Sequence, residues 1–85
     1  MEISYTKSFE KDYCQLPGQI QKRLDKQLQF LLNNFHHPSL NIKKMKGHPS
    51  IWEGRINSGY RFTFQVIGNT CLIRRAGTHD ILRNP

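Results

Sequence analysis

Acidic side chains and long apolar runs are both scarce in this sequence. The 85 residues include six Asp and Glu against thirteen Lys and Arg, which gives a formal net charge of +7. No apolar run approaches the roughly 20 residues that a membrane-spanning helix needs. The acidic start, with no apolar stretch behind it, is unlike a secretory leader. We therefore expect no membrane insertion and a cytoplasmic location.

Cysteines are also few. Only Cys14 and Cys71 are present, and neither their number nor their spacing fits a disulfide framework or a zinc site. We expect two free thiols. The chain also lacks a glycine-rich phosphate loop and a paired-carboxylate site. The sequence thus predicts no metal and no cofactor.

What the chain does contain is a core and a concentrated basic region. Hydrophobic residues make up 36% of it, with five Phe, three Tyr and one Trp, which is too apolar for a disordered basic tail. Its length predicts a single domain over residues 1–85. Residues 41–85 carry eight of the thirteen cations but two of the six acids. Such a surface favours a polyanion or an acidic protein as partner.

The apolar periodicity predicts two helices and four strands. A short helix is predicted after Ser8, its expected N-cap, and a second runs over 19–35 with one apolar stripe. Alternating patterns predict strands at 3–5, 51–56, 60–67 and 70–76. The order β-α-α-β-β-β predicts an α+β fold, with an antiparallel sheet and both helices packed on one face.

Alternation in the middle strand predicts two different sheet faces. One face, turned toward the helices, holds Tyr60, Phe62, Phe64 and Val66. The other, which we call the front face, holds Arg61, Thr63 and Gln65. We expect this polar front face to be uncovered and open to a ligand.

Four fragments in this order resemble the core pattern of the RelE/ParE toxin superfamily. A basic turn, Lys44-Met45-Lys46-Gly47, precedes a strand that reads Ile-Trp-Glu-Gly-Arg-Ile at 51–56. The next strand opens with Gly59-Tyr60-Arg61, and the last ends in Arg-Ala-Gly-Thr-His-Asp at 75–80. This ending resembles the close of the YafQ branch.

The resemblance implies a toxin of a type II toxin–antitoxin system. Ribonuclease members of the superfamily cleave mRNA in the ribosomal A site, and a small acidic antitoxin wraps them in a hetero-oligomer. ParE-type members share the fold but inhibit DNA gyrase and lack the nuclease residues. A gyrase inhibitor, and a non-catalytic member that binds only nucleic acid or antitoxin, therefore remain alternatives.

Two residues are the predicted catalytic groups of the nuclease. His79 follows the last strand, and an imidazole moves protons near neutral pH. Arg61 matches the phosphate-binding arginine of the ribonuclease members, and its planar guanidinium suits a phosphate. An ion pair between Arg61 and Glu53 of the neighbouring strand is the structural alternative. Because gyrase inhibition needs neither His79 nor Arg61, their joint presence favours the nuclease.

The remaining candidates are basic residues that would contact the phosphate or the RNA, and they are Arg55, Arg75, Lys43, Lys44, Lys46 and His48. Two departures from the family pattern concern the active site. Lys43 stands where some branches carry a glutamate base. The tail Ile81–Pro85 lacks the tyrosine with which several ribonuclease members end.

Overall fold

The computed structural model describes all residues 1–85. Its elements are, in chain order, β1 (Glu2–Tyr5), α1 (Lys7–Gln15), α2 (Gly18–Asn33), β2 (Lys43–Lys44), β3 (Trp52–Arg55), β4 (Arg61–Ile67) and β5 (Thr70–Gly77). Two 3₁₀ helices lie at Pro38–Leu40 and His79–Arg83. The α+β class is confirmed, with the short β2 added in the basic loop.

The strands form one sheet in the order β1-β5-β4-β3-β2. β3, β4 and β5 pair antiparallel, as the alternation predicts. β1 instead lies parallel to β5, so the sheet is mixed, and a fully antiparallel sheet was the wrong expectation at this edge. No hairpin joins these two strands, because most of the chain lies between them.

α1 begins two residues earlier than the sequence predicts. The N-cap is Thr6, whose Oγ1 accepts the N–H of Phe9 at 3.0 Å, so the assignment of Ser8 as cap was wrong. Thr6 has the extended backbone that a cap requires, whereas Ser8 already lies in the helix. α2 follows directly after Pro17 and ends at Asn33. No helix is both long enough and apolar enough to cross a bilayer.

Both helices bury their apolar side chains against the same sheet face. Phe9 of α1 and Leu24 and Leu31 of α2 share a core with Phe62 and Phe64 of β4. Val66 was predicted on this face among the core residues, yet it is 38% exposed. It lies near the end of β4, beyond the part of the strand that the helices cover.

The front face is partly covered, which corrects the expectation of an open surface. Arg74 Nε donates to the carbonyl of Pro85 at 3.1 Å, and Arg75 Nη1 donates to that of Asn84 at 3.0 Å. The chain therefore folds back after β5. Thr63, which pairs with Arg75 in the sheet, is fully buried. The part of the front face beside Arg55, which is exposed, stays accessible.

Candidate functional site

Arg55 and Arg61 lie directly opposite each other on β3 and β4. Both belong to the front face, because the next pair, Gly54 and Phe62, meets on the core side. Like charges at such positions destabilise a sheet unless an anion lies between them. The two ion pairs in the fold are Lys43–Glu53 and Arg75–Asp12, so neither arginine has a carboxylate partner. The arginine pair is therefore a local concentration of positive charge that no carboxylate neutralises.

The turn between β3 and β4 orients Arg61. Its Nη1 donates to the carbonyl oxygens of Asn57 at 2.6 Å and Tyr60 at 3.0 Å. The turn is itself fixed by Asn57 Oδ1, which accepts the N–H groups of Gly59 and Tyr60. The alternative Arg61–Glu53 pair does not form, because Glu53 binds Lys43 at 3.1 Å. The Nε and Nη2 groups of Arg61 make no hydrogen bond within the fold.

A buried glutamine supports the strand end that carries Arg55. Gln27 of α2 has no exposed surface, and its Nε2 donates to the carbonyls of Arg55 at 2.8 Å and Ser39 at 3.1 Å. Arg23, one turn earlier, donates through Nε to the carbonyl of Ile56 at 3.1 Å. Sequence reasoning missed Gln27, although an uncharged polar residue within an apolar helical stripe is a usable signal.

His79 is exposed and opens the C-terminal 3₁₀ helix. Gly77, two residues earlier, pairs with Arg61 on β4, which places His79 at the same end of the sheet as the arginine pair. The imidazole has no hydrogen-bond partner within the fold, and Asp80 does not orient it. His79 is thus open to solvent at this end of the sheet.

Arg75 has a carboxylate partner of its own. Asp12 of α1 receives its Nε at 2.6 Å and its Nη2 at 3.2 Å, and also the N–H of Ala76 at 3.1 Å. The hydrogen bond to Asp12 raises the pKa of Arg75, and partial burial acts in the opposite direction. Arg75 therefore joins α1 to β5. No sequence signal pointed to Asp12, whose partner lies 63 residues away.

The structure separates the lysines and His48, which the sequence grouped as RNA contacts. Lys43 shares the front face with Glu53. Lys44 lies on the helix side, with its Nζ 5.4 Å from the ring centroid of Trp52. Lys46, which is exposed, and His48, which is half-buried, belong to the loop that enters β3 at the end opposite Arg55. Only Lys43 lies on the same face as the arginine pair.

Two buried polar atoms on the front face lack hydrogen-bond partners, Glu53 Oε2 and Thr63 Oγ1. The two residues oppose each other across β3 and β4, next to the arginine pair along the strands. Unpaired buried polar groups cost roughly 1–3 kcal/mol each. Sequence reasoning named Glu53 only as an alternative partner of Arg61 and placed Thr63 on the front face, and it assigned neither residue to the site. They give the site a carboxylate and a hydroxyl among its cations.

No cluster of three or more His, Cys, Asp and Glu side chains that could hold a metal ion occurs in the fold. Cys14 is exposed and Cys71 is buried, and they form no disulfide.

Comparisons with known proteins agree on one family. The chain is 32% identical over 77 residues to toxin RelE3 of Methanocaldococcus jannaschii, covering 88% of this chain and 86% of that protein. It superposes on the RelB-RelE antitoxin-toxin complex from Methanococcus jannaschii with a TM-score of 0.77 at 28% identity, covering 95% of each chain. No family model matches the sequence.

More distant structures share the fold. The YoeB/ParE toxin from Agrobacterium tumefaciens gives a TM-score of 0.80 at 18% identity, covering 93% of this chain and 99% of that one. YafQ from E. coli gives 0.80 at 15% identity, covering 95% and 96%. The identity to RelE3, the shared architecture and the sequence fragments therefore agree, and the chain belongs to the RelE/ParE superfamily as a RelE-like toxin of a type II toxin–antitoxin system.

Proposed function

We propose that this toxin is an endoribonuclease that cleaves mRNA in the ribosomal A site. The observation that carries the proposal is the directly opposed pair Arg55 and Arg61, which lacks a carboxylate partner. The exposed His79 belongs to the same end of the sheet. A phosphate site beside a proton-transfer group is what RNA cleavage requires.

The reaction is an attack of the 2′-hydroxyl oxygen on the adjacent phosphorus. The O2′–P bond forms and the P–O5′ bond breaks, which leaves a 2′,3′-cyclic phosphate and a free 5′-hydroxyl. One proton leaves the 2′-hydroxyl and one reaches the 5′-oxygen. Arg61, with Arg55, stabilises the charge that grows on the non-bridging oxygens. His79 carries one of the two proton transfers.

The rest of the chain supplies binding. Lys43, Lys44, Lys46 and His48 would bind RNA backbone in a salt-dependent way, and Arg75, through its contact with Asp12, keeps β5 in place behind the site. The cognate partner is an acidic antitoxin that forms a hetero-oligomer with this chain, as RelB does with RelE and DinJ with YafQ. We place the activity in the cytoplasm, where ribosomes are, and assign it to one domain of residues 1–85.

The first test replaces Arg61. Arg61→Ala should slow cleavage about 10²–10³-fold, the usual cost of losing one preorganised donor to a developing oxyanion. Arg61→Lys should recover only part, because a point charge replaces the planar guanidinium. The measurement is the mapping of mRNA 5′ ends after incubation with translating ribosomes. Lys22→Ala, an exposed cation on α2, is the matched control and should cleave like the wild type.

The second test replaces His79. His79→Ala should lower cleavage by about 10²–10⁴-fold with little change in melting temperature, because the side chain is exposed. Growth arrest on induction should disappear while antitoxin binding persists. Two results together would reject the nuclease and favour gyrase inhibition. The alanine variants of His79 and Arg61 would still arrest growth fully, and the mRNA 5′ ends would be the same with and without the toxin.

A further inference from the structure

A cavity outside the arginine site lies on the helix side of the sheet, below the end of α2. Its volume is about 310 Å³, and its walls include Phe35, His36, His37, Asn41 and Trp52. That volume is at the lower end of the roughly 300–1,000 Å³ typical of small-ligand sites. Four of its seven lining residues carry aromatic or imidazole rings, and Pro38 and Ile42 add apolar surface, a composition suited to a flat ring.

The walls are held by contacts that form without a ligand. The Phe35 and Trp52 rings meet edge to face, with centroids 6.1 Å apart at 86°. His37 stacks on Phe30 with centroids 3.9 Å apart, and its Nδ1 accepts the N–H of Ser39 at 3.2 Å. A ligand would therefore meet rings that are already ordered, which lowers the entropic cost of binding.

Several polar groups around the cavity are unused within the fold. Nε2 of His37, both ring nitrogens of His36 and the side-chain amide of Asn41 make no hydrogen bond there. Asn41 is also the one non-glycine residue with a positive φ, 47°, and the backbone holds it there through a bond from its N–H to the carbonyl of Pro38 at 3.2 Å. Donors and acceptors among rings suit the edge of a nucleobase better than a purely apolar group.

The charge beside the cavity is positive. Lys44 Nζ lies 5.4 Å from the centroid of the Trp52 ring, and its neighbour Lys43 is paired with the local acid, Glu53. Neither of the two ion pairs in the fold includes Lys44, so its ammonium group has no carboxylate partner. A phosphate would therefore complement Lys44 while the attached base entered the cavity.

We propose that this cavity binds an unpaired nucleobase of single-stranded RNA, with the adjacent phosphate on Lys44. The choice of RNA as the source of the base rests on the proposed nuclease function. The edge strand β2 has only two residues, with Lys43 on the front face and Lys44 on the cavity side. RNA that passes around this short edge would lead from the cavity to the front face, where the arginine pair lies at the other end of β3.

Trp52 is the only tryptophan, so its fluorescence reports directly on the cavity. The purified toxin is titrated with AMP, GMP, CMP and UMP and with a short single-stranded RNA, using excitation at the red edge of tryptophan absorption. We expect saturable quenching by at least one nucleotide and by the RNA. Ribose 5-phosphate and inorganic phosphate lack a base. Their affinities, measured by quenching, should be at least about tenfold lower, a difference in binding free energy of about 1.4 kcal/mol.

Variants assign the binding to the cavity. His36→Ala and Lys44→Ala should each weaken the quenching affinity several-fold, whereas Lys22→Ala should not, and circular dichroism checks that each variant is folded. Arg61→Ala should retain nucleotide quenching while losing cleavage. Quenching without any cleavage by the wild type would overturn the proposed nuclease function alone.

Three outcomes would overturn the proposed base site itself. The first is no saturable quenching by any nucleotide. The second is equal quenching by ribose 5-phosphate, which would mean a phosphate surface without base recognition. The third is quenching by the cognate antitoxin but not by RNA, which would make the cavity part of a protein interface.

Discussion

The cations of the front face differ in their hydrogen-bond and ion-pair partners. These partners show which side chains support the fold and which are free to bind a ligand. Arg74 binds Gln65 Oε1 at 2.7 Å, Arg75 binds Asp12, and Lys43 binds Glu53. Arg61 binds only carbonyl oxygens of its own turn, and Arg55 makes no side-chain hydrogen bond. An anionic ligand would therefore displace no ion pair at the arginine pair, which is why the proposed function is placed there.

Also at the residue scale, burial of Cys71 predicts that the free energy of unfolding decreases at alkaline pH. Burial raises the pKa of this thiol from its ordinary 9.0 to about 11. The folded state thus holds the proton more tightly than the unfolded state does. The resulting contribution to stability is fully present below about pH 9 and is lost as the pH rises toward 11.

We expect the free energy of unfolding of the wild type to fall more steeply between pH 9 and 11 than that of Cys71→Ala. Urea denaturation at several pH values measures this difference. Other groups, such as Tyr13, whose pKa is raised by burial and by its bond to Asp25, titrate in both proteins and cancel. Cys14→Ala, which changes an exposed thiol, should follow the wild type. Parallel curves for the wild type and Cys71→Ala would contradict the assignment.

At the scale of elements, β3 and β4 pack closely because one residue of β3, Gly54, has no side chain. Gly54 opposes Phe62, and a Cβ on Gly54 would lie 2.6 Å from Cε1 of the Phe62 ring. Phe62 is fully buried beneath the helices, so its ring has no free space to move into. Glycine is required here by close packing, in a strand position where it would otherwise be unfavourable.

Gly54→Ala should lower the free energy of unfolding by about 1–3 kcal/mol, the usual cost of overpacking a core. Thermal or urea denaturation measures it. Gly18→Ala is the matched control, because a Cβ there meets nothing within 4 Å. A Gly54→Ala protein as stable as the wild type would show that the Phe62 ring is free to shift.

The contact between α1 and β5 depends on Asp12. Asp12→Ala removes the bonds to Arg75 and Ala76 together and should destabilise the fold by roughly 2 kcal/mol, since bonds to charged groups contribute about 1.5–3 kcal/mol. Asp12→Asn keeps one acceptor oxygen and should cost less. Hydrogen exchange should show increased opening of β5 near Ala76. Equal stability of both variants and the wild type would contradict this role.

At the scale of the whole molecule, the net charge of +7 and the excess of cations over 41–85 favour attraction of an acidic partner. Raising the ionic strength from about 0.05 M to about 0.5 M shortens the Debye length severalfold. The association rate constant with the cognate antitoxin should then fall at least about tenfold, with a smaller change in the dissociation rate. Stopped-flow fluorescence measures both. An association rate independent of salt would contradict electrostatic steering.

The sequence by itself determined the elements and the family. Hydrophobic periodicity predicted both helices and the three antiparallel strands β3, β4 and β5. Such signals are local, because they depend only on which side chains share a face. The fragments from Lys44 to Asp80 identified the superfamily, since they are read along the chain. Alternation also placed Arg61 on the face away from the helices, where the structure has it.

Only the tertiary structure decided which side chains meet. The parallel pairing of β1 with β5 and the Asp12–Arg75 bond both join residues far apart in sequence. The same holds for Arg55, whose position opposite Arg61 follows from strand register, and for Glu53, which binds Lys43 instead of Arg61. Periodicity assigns a residue to a face, whereas partners across a sheet are fixed by register, turns and the covering segments.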